Sequence, residues 1–299
     1  NALSLTGATL KTKNTTLTTN DKALSLSSSS ILEVDGTQDL SGIVPDSTST
    51  LTLRLAADAT INDSTALSVE TLDLANYALT LDDNMAGLSV SQALTLDAAT
   101  EQIITGDTDL SLNGGITVSN GTLSSTGGTL SASSFSVGAA GTVNIQGGTL
   151  TLPAGGTAVT GAAFTTSDTT ISLGGTLEVA NSWTSTNTNL SLTADTTLTS
   201  DNPIPIKTVD MGTYSLALGS ETTDLTITEN LTIDSGSVGG IGTGLADLTL
   251  KGPVTVSSGG ISSSGGTLTF GPDSGASSFV QYTGVLLSDT ALVLQTNIN

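Results

Sequence analysis

The 299-residue chain has no cysteine and no histidine. Without histidine there is no side chain poised for proton transfer near neutral pH. Without cysteine there is no thiol for nucleophilic or zinc chemistry. Basic residues are scarce, six against 27 acids, for a net charge of −21. One arginine and five lysines do not make the basic footprint of a nucleic-acid binder. Aromatic residues are 3% of the chain, and charged residues only 11% against roughly 25% in an ordinary soluble domain. No stretch approaches the ~18 consecutive apolar residues of a membrane helix.

What is abundant is small and hydroxylated. There are 55 Thr, 40 Ser and 34 Gly, together 129 of 299 residues, beside 42 Leu. Such a composition invites a reading as disorder. The regular recurrence of Leu, Ile and Val and a mean hydropathy of +0.21 argue against it, because a disordered chain is short of residues to bury. Few charges, no cysteine and many hydroxyls fit an exported bacterial surface protein. The chain opens on Asn1 rather than Met, so the expectation is a mature or excised part of a longer product.

Apolar–hydroxyl–apolar triplets recur throughout: Leu3-Ser4-Leu5, Leu24-Ser25-Leu26, Leu94-Thr95-Leu96, Leu190-Ser191-Leu192, Val254-Thr255-Val256. Period two is the strand period. Thr, Val and Ile suit a pleated, half-buried surface. The triplets are themselves periodic. Leu72-Asp73-Leu74, Leu94-Thr95-Leu96 and Ile116-Thr117-Val118 are 22 residues apart, and Leu67, Leu88 and Leu110 follow at steps of 21 and 22. A single such unit cannot bury its apolar face, whereas stacked units share one core. Gly and Asn between the triplets supply the positive φ of sharp corners. The expected fold is all-β, a parallel, right-handed β-solenoid of about 13 coils of roughly 22 residues, forming a single domain over 1–299. An antiparallel sandwich is the rival, but it would show tight hairpins every 8–12 residues.

Two segments interrupt the register. Ser27–Thr50 carries a run of serines, Asp35-Gly36 and Pro45, and is expected as a long corner loop. Asp201–Lys207, DNPIPIK, holds Pro203 and Pro205 and is expected to bulge from the stack, because proline cannot donate to a ladder.

Candidate chemistry is sparse. The densest acidic group is Asp82-Asp83-Asn84, a solvated corner or a weak calcium site; otherwise divalent cations are expected only to screen the −21 charge. Asp109, Asp224 and Asp247 each precede a strand, and their repeated placement suggests capping of local backbone amides. A nonapeptide calcium roll is excluded, because Gly239–Gly244 occurs once and lacks the Asp. A Thr-x-Thr ice-binding array is disfavoured, since Thr16, Thr50, Thr149, Thr197, Thr226 and Thr267 are not spaced by multiples of 22. Trp183, Tyr77, Tyr214 and Tyr282 are the available sugar platforms. Carboxylates are spread singly rather than paired as glycosidases require, so no enzyme and no cofactor are expected.

Charge is uneven. Residues 1–54 hold four bases (Lys11, Lys13, Lys22, Arg54) and five acids, net −1; residues 55–299 hold the remaining two bases and 22 acids, net −20. The first segment is therefore a candidate cap or subunit contact. The far end, with Leu292 and Leu294, still reads as strand, and no amphipathic cap is evident. Exposed end coils invite stacking by flanking repeats or by a second copy, head to tail.

Tandem segments such as Asp109–Leu130, DLSLNGGITVSNGTLSSTGGTL, resemble the β-helical stalks of bacterial autotransporter passengers and filamentous-haemagglutinin-type adhesins. The resemblance implies an extracellular, mostly non-enzymatic protein used for adhesion, spacing or fibre building, and it carries no site residues. The leading expectation is thus a self-associating surface fibre subunit or adhesin stalk. The alternatives are a glycan- or surface-binding module that uses the corner loops, with Pro203, Pro205 and Lys207 at its bulge, and a carbohydrate-active β-helix enzyme or tailspike fragment.

Overall fold

The computed structural model describes residues 3–12, 24–27, 29–45, 50–161, 163–180, 183–220, 222, 224–234, 240–271, 285–287 and 291–294. All regular structure among them is β-strand, and every inter-strand ladder is parallel. The strands stack as a β-solenoid of about 11 turns, about 21 residues apart, slightly tighter and fewer than the 22 and 13 expected. The chain divides into two compact units, Asn1–Thr149 and Leu150–Asn299.

Each coil contributes three short strands, one to each of three faces. In the first unit, a representative coil runs through Leu88–Val90, Leu94–Leu96 and Gln102–Ile104. The triplets dictate the burial. On the first two faces the outer residues of each triplet point inward and the middle one outward. Leu88 and Val90 are buried around Ser89, and Leu94 and Leu96 around Thr95. On the third face the phase is reversed. Leu79, Ile103, Leu123 and Val143 stack through successive coils as one fully buried aliphatic column. Burying a Leu or Ile side chain contributes about 1.5–3 kcal/mol, so each coil's inward residues fund what its neighbours cannot bury alone. The outward positions stack equally well: Ser68, Ser89, Ser111 and Ser131 form a serine column on the first face.

Corners are not uniform. In the first unit, Ile31–Asp39 and Thr52–Asn62 run as single strands across the corner between second and third faces, with a register shift between Val34 and Gly36. In the second unit, Thr170–Val179 and Asn189–Ser200 do the same between first and second faces, with a shift between Leu173 and Gly175. The corner after the third face turns sharply at Gly106, where φ is +54° and a Cβ would collide with the Asp83 carboxylate.

Two sequence expectations are corrected. Ser27–Thr50 is not a long loop: Ile31–Asp39 and Ile43–Pro45 are paired strands within it. Asp201–Lys207 does not leave the stack as a whole: Asp201, Asn202 and Pro203 are exposed outside any strand, but Ile204–Ile206 is strand. It pairs in parallel with Asp224–Ile227, and Ile204 and Ile206 are wholly buried. The period-two rule explains it, since Pro205 takes the outward position between two inward isoleucines. The missing donor is accommodated because this strand begins a new sheet. Its one ladder partner among the described residues is the following strand, and Trp183–Thr186 ends the preceding sheet.

Candidate functional site

The polar side chains of this molecule work mainly between coils. Asp58, Asp109, Asp195 and Asp247 each accept a hydrogen bond from the backbone amide 20 residues further on, at Ala78, Thr129, Ser215 and Thr267. Asp109 and Asp247 thus cap the next coil, not their own turn as the sequence suggested. A carboxylate accepting from an amide is a charge-assisted bond, stronger than a neutral one. Asp224 is different again. It stands in register over Asp247. Burial, the Asp247 charge and a hydrogen bond with Asp247 together raise its carboxyl above the usual carboxylate range.

The Asp82-Asp83-Asn84 corner is engaged in the same way. Asp82 Oδ1 accepts from the backbone N of Asn84 at 3.0 Å and from its Nδ2 at 2.7 Å. These two bonds hold the Asp82 carboxyl below its ordinary range. Asp83 Oδ1 accepts from the Asp107 amide at 3.3 Å, in the next coil. Among the described residues, no three acidic side chains converge as metal ligands would.

The bases form a column. Lys11, Glu33, Arg54 and Asp73 occupy one register position in four successive strands of the second face. Lys11 Nζ lies 2.7 Å from Glu33 Oε1, and Arg54 Nε 2.7 Å from Asp73 Oδ2. Two of the four bases proposed as end contacts therefore serve coil-to-coil pairing, while Lys13 and Lys22 fall outside the described residues. Lys207 lies 3.8 Å from Glu229, again one coil on. Pro203 and Pro205 are exposed beside the buried isoleucines. Leu292 and Leu294 belong to a strand, Ala291–Leu294, in register with Thr267–Phe270.

The aromatic candidates separate. Trp183 is a core residue: its indole N–H donates to Thr166 Oγ1 at 2.9 Å, and its ring meets Phe164 at 5.5 Å. Thr166 and Thr188 hydroxyls pair at 2.8 Å beneath it. Only Tyr77 is exposed, Tyr214 is half-buried, and Tyr282 lies outside the described residues. The Thr-x-Thr segments likewise scatter: Thr197–Thr199 is on the second face and Thr226 and Thr267 on the third.

Sequence reasoning missed the buried carboxylates, Asp35, Asp63 and Glu101 among the described residues. Glu101 is 7% exposed, and its Oε2 accepts from the amides of Asp97 at 2.7 Å and Ala98 at 3.1 Å. Its Oε1 accepts from Asn76 at 3.4 Å, one coil back, where φ is +74°. Asp63 is fully buried at the corner after Thr52–Asn62. A signal for Asp63 was present, because Asp63-Ser64-Thr65 is a side-chain-capped turn pattern. Its burial depends on which residue of the corner turns inward, and only the coil geometry sets that. The chain matches no known protein family, no curated protein and no solved structure.

Proposed function

We propose that this protein is a non-enzymatic structural element displayed outside a bacterial cell: a surface fibre subunit or adhesin stalk. In this reading its coils continue end to end into flanking repeats or a second copy of the chain. The observation that carries the reading is the coil-to-coil use of the charged groups. Asp58, Asp109, Asp195 and Asp247 hold amides of the next coil, and Lys11, Glu33, Arg54 and Asp73 pair along the stack. Those groups are spent on stacking rather than gathered around a substrate. A parallel coil also presents a ladder of N–H and C=O groups on both edges, so any coil is a template for another. A head-to-tail contact of that kind does not close, and it propagates as a filament.

The hydroxyl-rich, base-poor composition supports an exposed extracellular setting, and the outward serine column supports a smooth, repetitive surface. Electron microscopy of protein taken from its native source, without denaturant, tests the proposal. Filaments with a regular axial repeat are expected. Isolated short particles at every concentration, together with a monodisperse monomer in sedimentation, would overturn it.

A further inference from the structure

Tyr77 is the one exposed aromatic side chain among the described residues, at 37%; Trp183, Phe135, Phe164 and Phe270 are buried. It stands at the corner between the second and third faces of the first unit. The preceding coil crosses this corner as an unbroken strand, with Arg54 in register with Asp73 and Ala59 with Leu79. From 54 to 59 is five steps and from 73 to 79 is six, so the coil of Tyr77 carries one residue more. Two consecutive left-handed residues turn here, neither of them glycine: Ala75 at φ +50° and Asn76 at φ +74°. Left-handed backbone is strained for alanine, whose side chain offers no hydrogen bond to offset it.

The backbone on both sides of the ring is held by carboxylates of the neighbouring coils. The Asn76 amide donates to Glu101 Oε1 at 3.4 Å in the following coil, and the Ala78 amide to Asp58 Oδ1 at 2.9 Å in the preceding one. The Tyr77 amide itself closes the turn on the Leu74 carbonyl at 2.9 Å. A surface aromatic on a backbone fixed from three directions is pre-organised, which spares a ligand part of the cost of ordering it.

Acceptors gather at the same corner. Asp58 uses only Oδ1 on Ala78. Asp97 donates its amide, at 2.7 Å, to the same Glu101 carboxylate that holds Asn76. Its own side chain is exposed, and among the described residues neither that carboxylate nor the Tyr77 hydroxyl makes a hydrogen bond. Arg54, the base of the preceding crossing, is taken by Asp73 at 2.7 Å. A sugar ring complements this set: it has an apolar C–H face for the aromatic ring, and edge hydroxyls that donate to carboxylate oxygens. The sugar must be uncharged, because Asp58, Asp97 and the net charge of −21 repel an anion. An ammonium ligand is taken by a cage of several rings, and here there is one.

We propose that the Tyr77 corner binds an uncharged glycan, with one sugar ring stacked on Tyr77 and its hydroxyls donating to Asp58 Oδ2 and to Asp97. One ring makes a weak site, so binding is read in a polysaccharide matrix, where sugar units are in large excess. The inference does not depend on end-to-end assembly.

The full chain is run by native electrophoresis through gels cast with glucan, mannan, xylan or galactan, and with anionic polygalacturonate as the control. Retardation by at least one uncharged polymer is expected, and none by polygalacturonate. Tyr77→Ala should raise the polysaccharide concentration for half-retardation about tenfold or more. Its thermal unfolding should stay close to the parent's, because the ring is outside the buried core. Asp97→Asn should raise that concentration several-fold, and it stands in if Tyr77→Ala does not fold. A parent protein that runs freely through every uncharged gel overturns the site. So does unchanged retardation in Tyr77→Ala, or in Asp97→Asn where that variant stands in, and so does retardation by polygalacturonate.

Discussion

Asp224 and Asp247 occupy the same register position in successive strands of the third face, and Asp247 Oδ1 in turn accepts the Thr267 amide. Asp247 is thus occupied in holding the next coil. Burial first, then the Asp247 charge and a hydrogen bond with Asp247, raise the Asp224 carboxyl above its ordinary range. In the pH window between the ordinary carboxylate value and the raised one, folded Asp224 binds more protons than unfolded Asp224. Stability must then rise as pH falls through that window, and the penalty is fully present above it. Asp224→Asn should stabilise the protein at pH 7 by less than about 1 kcal/mol, because the pair is partly solvated. Unfolding of parent and variant compared from pH 7 to pH 4 should show the advantage shrinking on acidification. A gap that widens would contradict the assignment.

Glu101 joins two corners. Its carboxylate serves the amides of Asp97, Ala98 and Asn76 while nearly buried. Glu101→Ala leaves three part-buried amide donors without their acceptor and should cost on the order of 1–2 kcal/mol. Glu101→Gln keeps one acceptor and should lose less. Denaturant midpoints of the three proteins, at unchanged slope, measure the difference.

Ile204 and Ile206 make a sharp test of the corrected 201–207 segment. Were it a surface bulge, its removal would leave the fold intact. As a paired strand with both isoleucines fully buried, it should be indispensable. Ile206→Ala is expected to cost about 2–5 kcal/mol. Pro205→Thr, at the exposed position, should change stability by less than about 1 kcal/mol. If hydrogen exchange at 183–186 slows in Pro205→Thr, the prolines are what interrupts the ladder there.

The Lys11–Glu33–Arg54–Asp73 column predicts a salt-dependent effect. Glu33→Lys places three positive charges in consecutive coils. The expected loss is about 0.5–1 kcal/mol at low salt, fading in 1 M NaCl, where the Debye length falls to ~3 Å. A loss unaffected by salt would point to packing of the Glu33 stem instead.

The sequence alone determined the parallel, coiled, all-β plan. Triplets such as Leu94-Thr95-Leu96 and Ile116-Thr117-Val118 carry both the strand period and the coil period, and a repeat that cannot bury its own face must stack. It also determined that most outward positions would be Ser or Thr. It misjudged places where one residue type has two uses. Proline reads as a ladder breaker, yet Pro205 fits an outward position at a sheet edge, and its neighbours Ile204 and Ile206 carried the strand period all along. Aspartate before a strand reads as a local cap, yet Asp109 and Asp247 reach the amide 20 residues away. That distance is long in sequence and one strand spacing in space. Only the tertiary structure decided it, because stacking sets which carboxylate faces which amide. The same stacking decided that Asp63, like Leu40 one coil before it, lies wholly inside, and so left one carboxylate oxygen buried without a partner.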